Sequence, residues 1–198
     1  MKAYIKTGLI IIGALIVFGV IFNLISKTEY IEPNVPRPTI GDPSAKVVVE
    51  EFSDLQCPAC AQSQPFVKDI LQRYEDKIFF KLKHFPLQSI HFNAYKAAQA
   101  AECANDQGVF FPYVDAAYQN QYNLNKAGLM NIAILLELDA DRFEACLDSG
   151  VKEFIVDRDL SEGMARGVPG TPSFFVNGVR LEGGVDSLEA EIVRQLNK

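Results

Sequence analysis

The 198-residue chain has no tryptophan, only two histidines and only four cysteines, and it lacks any excess of basic charge. Four cysteines are too few to staple a miniprotein, but they suffice for one reactive pair and one structural bridge. A formal net charge of -6 with no basic patch argues against nucleic acid as a partner. No glycine-rich phosphate loop and no flavin or nicotinamide fingerprint appears, so no cofactor is expected. What is present is ordinary for a globular protein: 48% hydrophobic and 22% charged residues exclude a disordered or low-complexity chain. The length suits one domain plus accessories.

Leu9 to Ile25 is apolar throughout except for Asn23. With its neighbours it reaches roughly the 20 residues that span a bilayer, so residues 8–26 are expected to form a transmembrane signal anchor. A cleaved signal peptide is the alternative, but Phe22-Asn23-Leu24-Ile25-Ser26-Lys27 offers no small-residue cleavage pattern. No cysteine follows the run to carry a lipid. Lys2 and Lys6 precede it, whereas Glu29 and Glu32 offset Lys27 beyond it. Residues 1–7 are therefore expected in the cytoplasm and the rest outside, on the periplasmic or outer face of the cell membrane. Residues 27–43 hold Pro33, Pro36, Pro38 and Pro43 and read as a semi-extended linker. The folded domain is expected over 44–198.

Within it, Lys46–Phe52 reads as a strand, Pro58–Tyr74 as a helix with Phe66, Ile70, Leu71 and Tyr74 on one face, and Ile78–His84 as a second strand. A helical stretch follows over about 87–166, punctuated by Gly128, Gly150 and Gly167. Ser173–Val176 and Val179–Leu181 flank Asn177-Gly178, a two-residue hairpin signal, and Ser187–Asn197 closes the chain as a helix. This order is that of an α/β domain carrying a helical insertion. Phe79, Phe80, Phe85, Phe110, Phe111, Phe174 and Phe175 are expected in the core, though some could rim a groove for unfolded polypeptide.

Cys57-Pro58-Ala59-Cys60 stands where a strand ends and a helix begins. Unpaired N–H groups and the positive dipole end stabilise an anion there, so Cys57 is expected to have a lowered pKa and to be the attacking sulfur. Cys60, about one turn on, would resolve the mixed disulfide. Pro58 suits the first helical turn, and Ala59 leaves the sulfur approachable. A zinc site is the first competitor, but there is no second C-x-x-C, and His84 and His91 are not spaced as ligands. No metal is expected. An inert disulfide is the second, and it would close too short a loop to stabilise much.

With the later segment Gly167-Val168-Pro169-Gly170-Thr171-Pro172-Ser173-Phe174-Phe175-Val176-Asn177-Gly178, these residues resemble the DsbA-like thiol:disulfide oxidoreductases of the thioredoxin superfamily, over about 44–198. The resemblance implies a thioredoxin-like fold with a helical insertion, a cis Pro172 against the cysteine pair, and Thr171 as a residue whose backbone receives extended substrate. It also implies a buried acid at Glu51, six residues before Cys57, able to relay the Cys60 proton. Alternation puts Glu50 and Glu51 on opposite faces, and Lys83 or Lys81 is expected to pair with the buried one. Cys103 and Cys146 lie on helices of the insertion; an exported domain with an even count favours a bridge, as in some DsbA-like proteins, with two buried thiols as the alternative.

The activity so implied is dithiol oxidation of reduced or unfolded exported polypeptides, with reoxidation by a DsbB-like or vitamin K epoxide reductase-like membrane partner. A monomer is expected, since no dimerisation segment is evident. An extracytoplasmic reductase or isomerase uses the same chemistry in reverse. A tethered peptide-binding module without turnover is the reading from another class. The best-known oxidase pattern places histidine between the cysteines, where this chain has Pro58 and Ala59, which bears on oxidising strength.

Overall fold

A computed structural model describes residues 30–198; the expected anchor at 8–26 and the cytoplasmic residues 1–7 lie outside the described residues. Among the described residues no helix is long and apolar enough to cross a membrane. Residues 32–198 form one unit around a five-stranded sheet of order β1-β3-β2-β4-β5.

The central strands are β2 (Val47–Ser53) and β3 (Ile78–His84), parallel and joined by helix α1 (Pro58–Tyr74). Parallel pairing requires a crossover of this kind, and the β-branched, aromatic-rich segments VVVEEFS and IFFKLKH supply strands that can be covered on both faces. β4 (Ser173–Val176) runs antiparallel beside β2, and β5 (Val179–Arg180) pairs with β4. Asn177 and Gly178 turn this hairpin with φ of 47° and 80°, the left-handed pair that a two-residue loop demands. The Asn177 side chain also accepts from the Val48 N–H at 2.8 Å, fastening the turn to β2.

The linker expectation fails in its second half. Thr39–Gly41 form β1, antiparallel to β3, and the preceding Arg37 grips the fully buried Asp159 through two hydrogen bonds of 3.0 and 2.9 Å. Proline content suggested a spacer, but three prolines can flank an edge strand without removing a needed donor. The domain therefore begins before residue 44.

Between β3 and β4 lie α2 (Ala94–Asn105), α3 (Phe110–Gln119), a 3₁₀ turn (Gln121–Asn123), α4 (Lys126–Leu135), α5 (Ala140–Ser149) and α6 (Glu153–Ala165). Asn125 and Asp139 cap α4 and α5 by accepting the N–H groups of Gly128 and Arg142. The structure bonds Cys103 in α2 to Cys146 in α5, both buried, so the insertion is cross-linked. The final helix, α7 (Val185–Leu196), sends Leu188 and Ile192 into the core.

Two apolar layers sandwich the sheet. On one face Phe80 and Leu82 line a small cavity together with Val67 and Leu71 of α1 and Val114 of α3. On the other, Phe52, Phe85, Val168 and Phe175 cluster, with Leu160 of α6 against them. Gly163 of α6 permits that approach: a Cβ there would lie 2.5 Å from the Phe85 ring. Five of the seven phenylalanines expected in the core are buried, while Phe79 and Phe111 are half-buried. Phe66 is 61% exposed, so the buried stripe of α1 is Val67, Ile70 and Leu71 instead.

Candidate active site

β2 ends at Ser53 and the chain turns through Asp54-Leu55-Gln56 before α1 begins. The buried Asp54 builds that turn. Its Oδ1 accepts the Gln56 N–H at 2.7 Å, its Oδ2 accepts the Leu87 N–H at 2.8 Å, and Nδ1 of His91 lies 2.8 Å from Oδ2. From the far side Gln121 donates to the carbonyls of Leu55 (3.0 Å) and Cys57 (2.8 Å). The loop is thus held by segments that sequence separates widely, and Cys57 lands at the N-cap of α1 with Pro58 as the first helical residue. Pro58 and Ala59 are exposed, forming an open lip over the sulfur.

The two thiols are free and differ sharply in surroundings. Cys57 is pushed down to about 5, first by the hydrogen bond that the Cys60 thiol offers, then by the Thr171 side chain and the N–H groups of Cys60 and Ala59; burial opposes this. Cys60 is wholly buried, and burial drives its pKa far up, with the Cys57 sulfur and the Glu51 charge adding to the effect. The loop preceding β4 closes the site. The Thr171–Pro172 peptide is cis, and the Cys57 thiol donates to the Thr171 carbonyl over 3.4 Å. Cys57, Cys60, Thr171 and Pro172, predicted from motifs more than 100 residues apart, are therefore brought together.

Glu51 is fully buried on the same side. Its Oε1 accepts from the Ser53 hydroxyl at 2.8 Å, Oε2 has no partner among the described residues, and burial raises its pKa to about 7. The expected lysine partner is not there. In the parallel register Lys81 lies opposite Glu50 and Lys83 opposite Phe52, so both project on the face away from Glu51. Lys83 pairs with Glu162 at 2.8 Å and with Glu50 at 4.0 Å, and the Lys81 ammonium sits over the Phe79 ring. Arg166 completes this opposite face, bonding Glu50 at 2.9 Å and lying 3.9 Å above the centre of Phe175.

Two polar residues escaped the sequence reading. Ser53 follows Glu51 by two, which alternation places on the same face, and that signal was available. Tyr118, whose hydroxyl lies 2.7 Å from that of Ser53, comes from α3 and carries no motif. His84 is buried, and its Nε2 lies 3.0 Å from Glu102. Among the described residues no group of three His, Cys, Asp or Glu side chains could hold a metal ion.

A strand–CxxC–helix unit facing a cis-proline loop, with five helices between β3 and β4, defines a thioredoxin fold of the DsbA-like kind. The chain belongs to the thioredoxin family, whose pattern matches residues 34–194. In structure it is similar to BdbD of Bacillus subtilis in its oxidised form, with a TM-score of 0.72, 18% identity, and cover of 86% of this chain and 100% of that one. It is also similar to the catalytic domain of Proteus mirabilis ScsC, with a TM-score of 0.67 and 25% identity over 81% of this chain and 89% of the other. In sequence it is 36% identical over 154 residues to the Na(+)/H(+) antiporter NhaA 1 of Salinispora arenicola. That match takes in 77% of this chain, which spans only 24% of the antiporter's length.

Proposed function

We propose that the protein is a membrane-tethered thiol-disulfide oxidoreductase that oxidises exported polypeptides through Cys57 and Cys60. The observation that carries this reading is the opposite displacement of two neighbouring thiols. Cys57 is held near pKa 5 at a helix N-terminus while Cys60 is pushed upward by burial. A low-pKa thiol is a good leaving group and a stable thiolate, so the reduced enzyme is favoured and its disulfide is reactive. In the oxidative half-reaction a substrate thiolate attacks Cys57 Sγ, the Cys57–Cys60 bond breaks, and Cys60 takes a proton. The substrate's second thiolate then attacks its own mixed-disulfide sulfur and releases Cys57 as thiolate. The substrate is oxidised by two electrons and the enzyme reduced by two.

The surface beside the pair suits an extended, unfolded substrate. Ile90 (64% exposed), Phe92 (85%) and Tyr122 (fully exposed) adjoin in sequence residues bonded to the loop before α1: His91 to Asp54, Asn93 to Gln56, and Gln121 to the carbonyls of Leu55 and Cys57. Thr171 would offer backbone groups to such a strand, with Pro172 shaping the wall. The enzyme leaves reduced, so a DsbB-like or vitamin K epoxide reductase-like membrane protein is the reoxidant class, and the apolar run 8–26 would keep the domain beside it. The match to part of an antiporter is compatible with such a membrane setting.

The test is reoxidation of a reduced, unfolded ribonuclease by stoichiometric oxidised protein in the absence of glutathione. Recovery of native disulfides that Cys57→Ser abolishes supports oxidation. Undiminished function of Cys57→Ser in vivo would favour a peptide-binding module instead. The reverse assay, dithiothreitol-driven reduction of insulin, outpacing ribonuclease oxidation would make the protein a reductase or isomerase.

A further inference from the structure

The buried chemistry beneath Cys60 has one more participant than a thiol and an acid. A serine hydroxyl has one proton to donate and two lone pairs to accept with. At Ser53 the proton goes to Glu51 Oε1 at 2.8 Å, and while it does the Tyr118 hydroxyl, 2.7 Å away, is the donor of that contact. Ser53 also interacts with the Cys60 sulfur in the sense that favours its thiolate, so the single Ser53 proton is shared between Glu51 and Cys60. Ser53, Glu51, Cys60 and Tyr118 are all buried, so no bulk water competes for these positions. On the outer side, Gln64, which also contacts the Tyr118 hydroxyl, is only half-buried and borders solvent.

We propose that Ser53 is a catalytic proton relay between Cys60 and Glu51, held in its working orientation by the hydroxyl of Tyr118. This rests on the thiol-disulfide exchange reading and adds to it a residue and a route. When Cys60 resolves a mixed disulfide at Cys57, the Ser53 proton passes to Glu51 Oε1 and the Cys60 proton passes to Ser53 Oγ. The Cys60 sulfur, now a thiolate, bonds to Cys57 Sγ, and the bond from Cys57 to the departing sulfur breaks. That sulfur leaves as a thiolate. One proton moves from Cys60 to Glu51, one S–S bond forms and one breaks, and no other oxidant or reductant is needed. In the oxidative direction the same steps run backwards, with Glu51 supplying the proton through Ser53 to the departing Cys60 thiolate. A carboxyl with a pKa near 7 is half-ionised at neutral pH, so it can serve in either direction.

Ser53 is suited to this and not simply to filling space, because it both donates to Glu51 at 2.8 Å and interacts with the Cys60 sulfur. Tyr118 lies 2.7 Å from the Ser53 hydroxyl and acts through it, which makes it a positioning residue.

The experiment uses the full chain, reduced and then mixed with oxidised glutathione, with acid quenching to follow the Cys57–glutathione mixed disulfide by mass. Ser53→Ala is expected to slow its resolution by about tenfold to a hundredfold at pH 7 and to remove the rate limb near pH 7. Ser53→Thr restores a hydroxyl and should restore both. Tyr118→Phe should slow resolution a few-fold and shift the limb, and Cys57 thiolate absorbance still titrating near 5 verifies an intact site. A proton inventory on the unsubstituted protein, in mixed light and heavy water, should be bowed, as two protons in flight require. Resolution by Ser53→Ala within about twofold of the parent with its pH limb intact, or a linear inventory, overturns the relay. A parent protein that forms no mixed disulfide at all overturns the exchange reading itself, so the two failures are told apart.

Discussion

The depressed Cys57 pKa should be visible as a break in the reduction potential of the pair as pH changes. Reduction of the disulfide takes up two electrons and, below the pKa of Cys57, two protons, so the potential falls by about 59 mV per pH unit. Above that pKa only Cys60 takes a proton and the slope halves to about 30 mV per unit. Since Cys57 is held near 5 against an ordinary value near 9, the break is expected near pH 5. The sign follows from linkage: a depressed pKa contributes stability to the reduced folded form that is complete above about pH 9 and is lost as pH falls through about 5. At pH 7 the two intervening units amount to about 3 kcal/mol, or roughly 60 mV more oxidising than an otherwise identical pair with an unshifted thiol. Equilibration with glutathione buffers from pH 4 to 8, followed by alkylation and mass analysis, measures this, with Cys103 and Cys146 staying bridged throughout. A single slope of about 59 mV per unit across that range would show that Cys57 is not a thiolate at neutral pH, and the assignment of roles to the two sulfurs would go with it.

Further outcomes follow from buried charges and cross-links. Glu51 is raised from 4.5 to about 7 by burial, so the folded protein binds its proton more tightly than the unfolded chain. It therefore costs stability as pH rises through about 4.5 to 7, up to about 3 kcal/mol above pH 8, and Glu51→Gln should raise the urea midpoint at pH 8 but not at pH 4. An equal shift at both pH values would show that Glu51 is not protonated in the fold. Arg37→Ala takes from the buried Asp159 its two-pronged partner, leaving the His84 N–H at 3.0 Å and Arg158 at 3.9 Å, and should cost about 3 kcal/mol in equilibrium unfolding, far more than a mobile linker residue would. Replacing Cys103 and Cys146 together by serine opens a loop of 43 residues' separation and should cost about 4 kcal/mol on chain-entropy grounds while leaving the Cys57–Cys60 potential unchanged. Gly163→Ala drives a methyl into Phe85 and Phe52 and should cost about 1–3 kcal/mol.

How much of this was legible beforehand depended on whether a feature is local. The strands at 46–52 and 78–84 and the helix from Pro58 to Tyr74 came from periodicity that the finished fold respects, and the first helix matched at both ends. The two cysteines stand out because a C-x-x-C at the start of a helix is a local signal, whereas Thr171, Pro172 and Glu51 follow from the family resemblance that this motif carries. The lysine partner expected for Glu51 is misassigned, although the parity rule, carried into the parallel register, puts Lys81 and Lys83 on the other face. Phe66 was misplaced because a helical face has a boundary, and Val67 lies inside it. What sequence could not show was long-range convergence. Arg37 reaches Asp159, Tyr118 reaches Ser53 and Gln121 reaches Cys57 across separations of 122, 65 and 64 residues, and no local pattern encodes such pairings.

The absence of a polar side chain between the cysteines sharpens what sets the strength of this site. The side chains of Pro58 and Ala59 can neither donate to the Cys57 thiolate nor carry charge, so its stabilisation comes from the Cys60 thiol, the Thr171 side chain and fixed backbone N–H groups of the first helical turn. Backbone donors do not titrate and barely move, so the potential of the pair should follow pH only through the sulfurs and Glu51. The same geometry makes the two sulfurs interdependent. Cys60 can support the Cys57 thiolate only while it keeps its own proton, and burial together with the Glu51 charge is what makes it keep it. Once Glu51 ionises, near pH 7, its charge further disfavours a thiolate at Cys60, yet it also becomes the base that can accept that proton. Thermodynamic protection and kinetic release of the Cys60 proton therefore reside in one carboxyl group, and Glu51→Gln should separate them. The amide removes the charge that disfavours a Cys60 thiolate, but it also removes the base. Resolution of the glutathione mixed disulfide should consequently become slower and lose its dependence on pH near 7, even as the folded protein gains stability there.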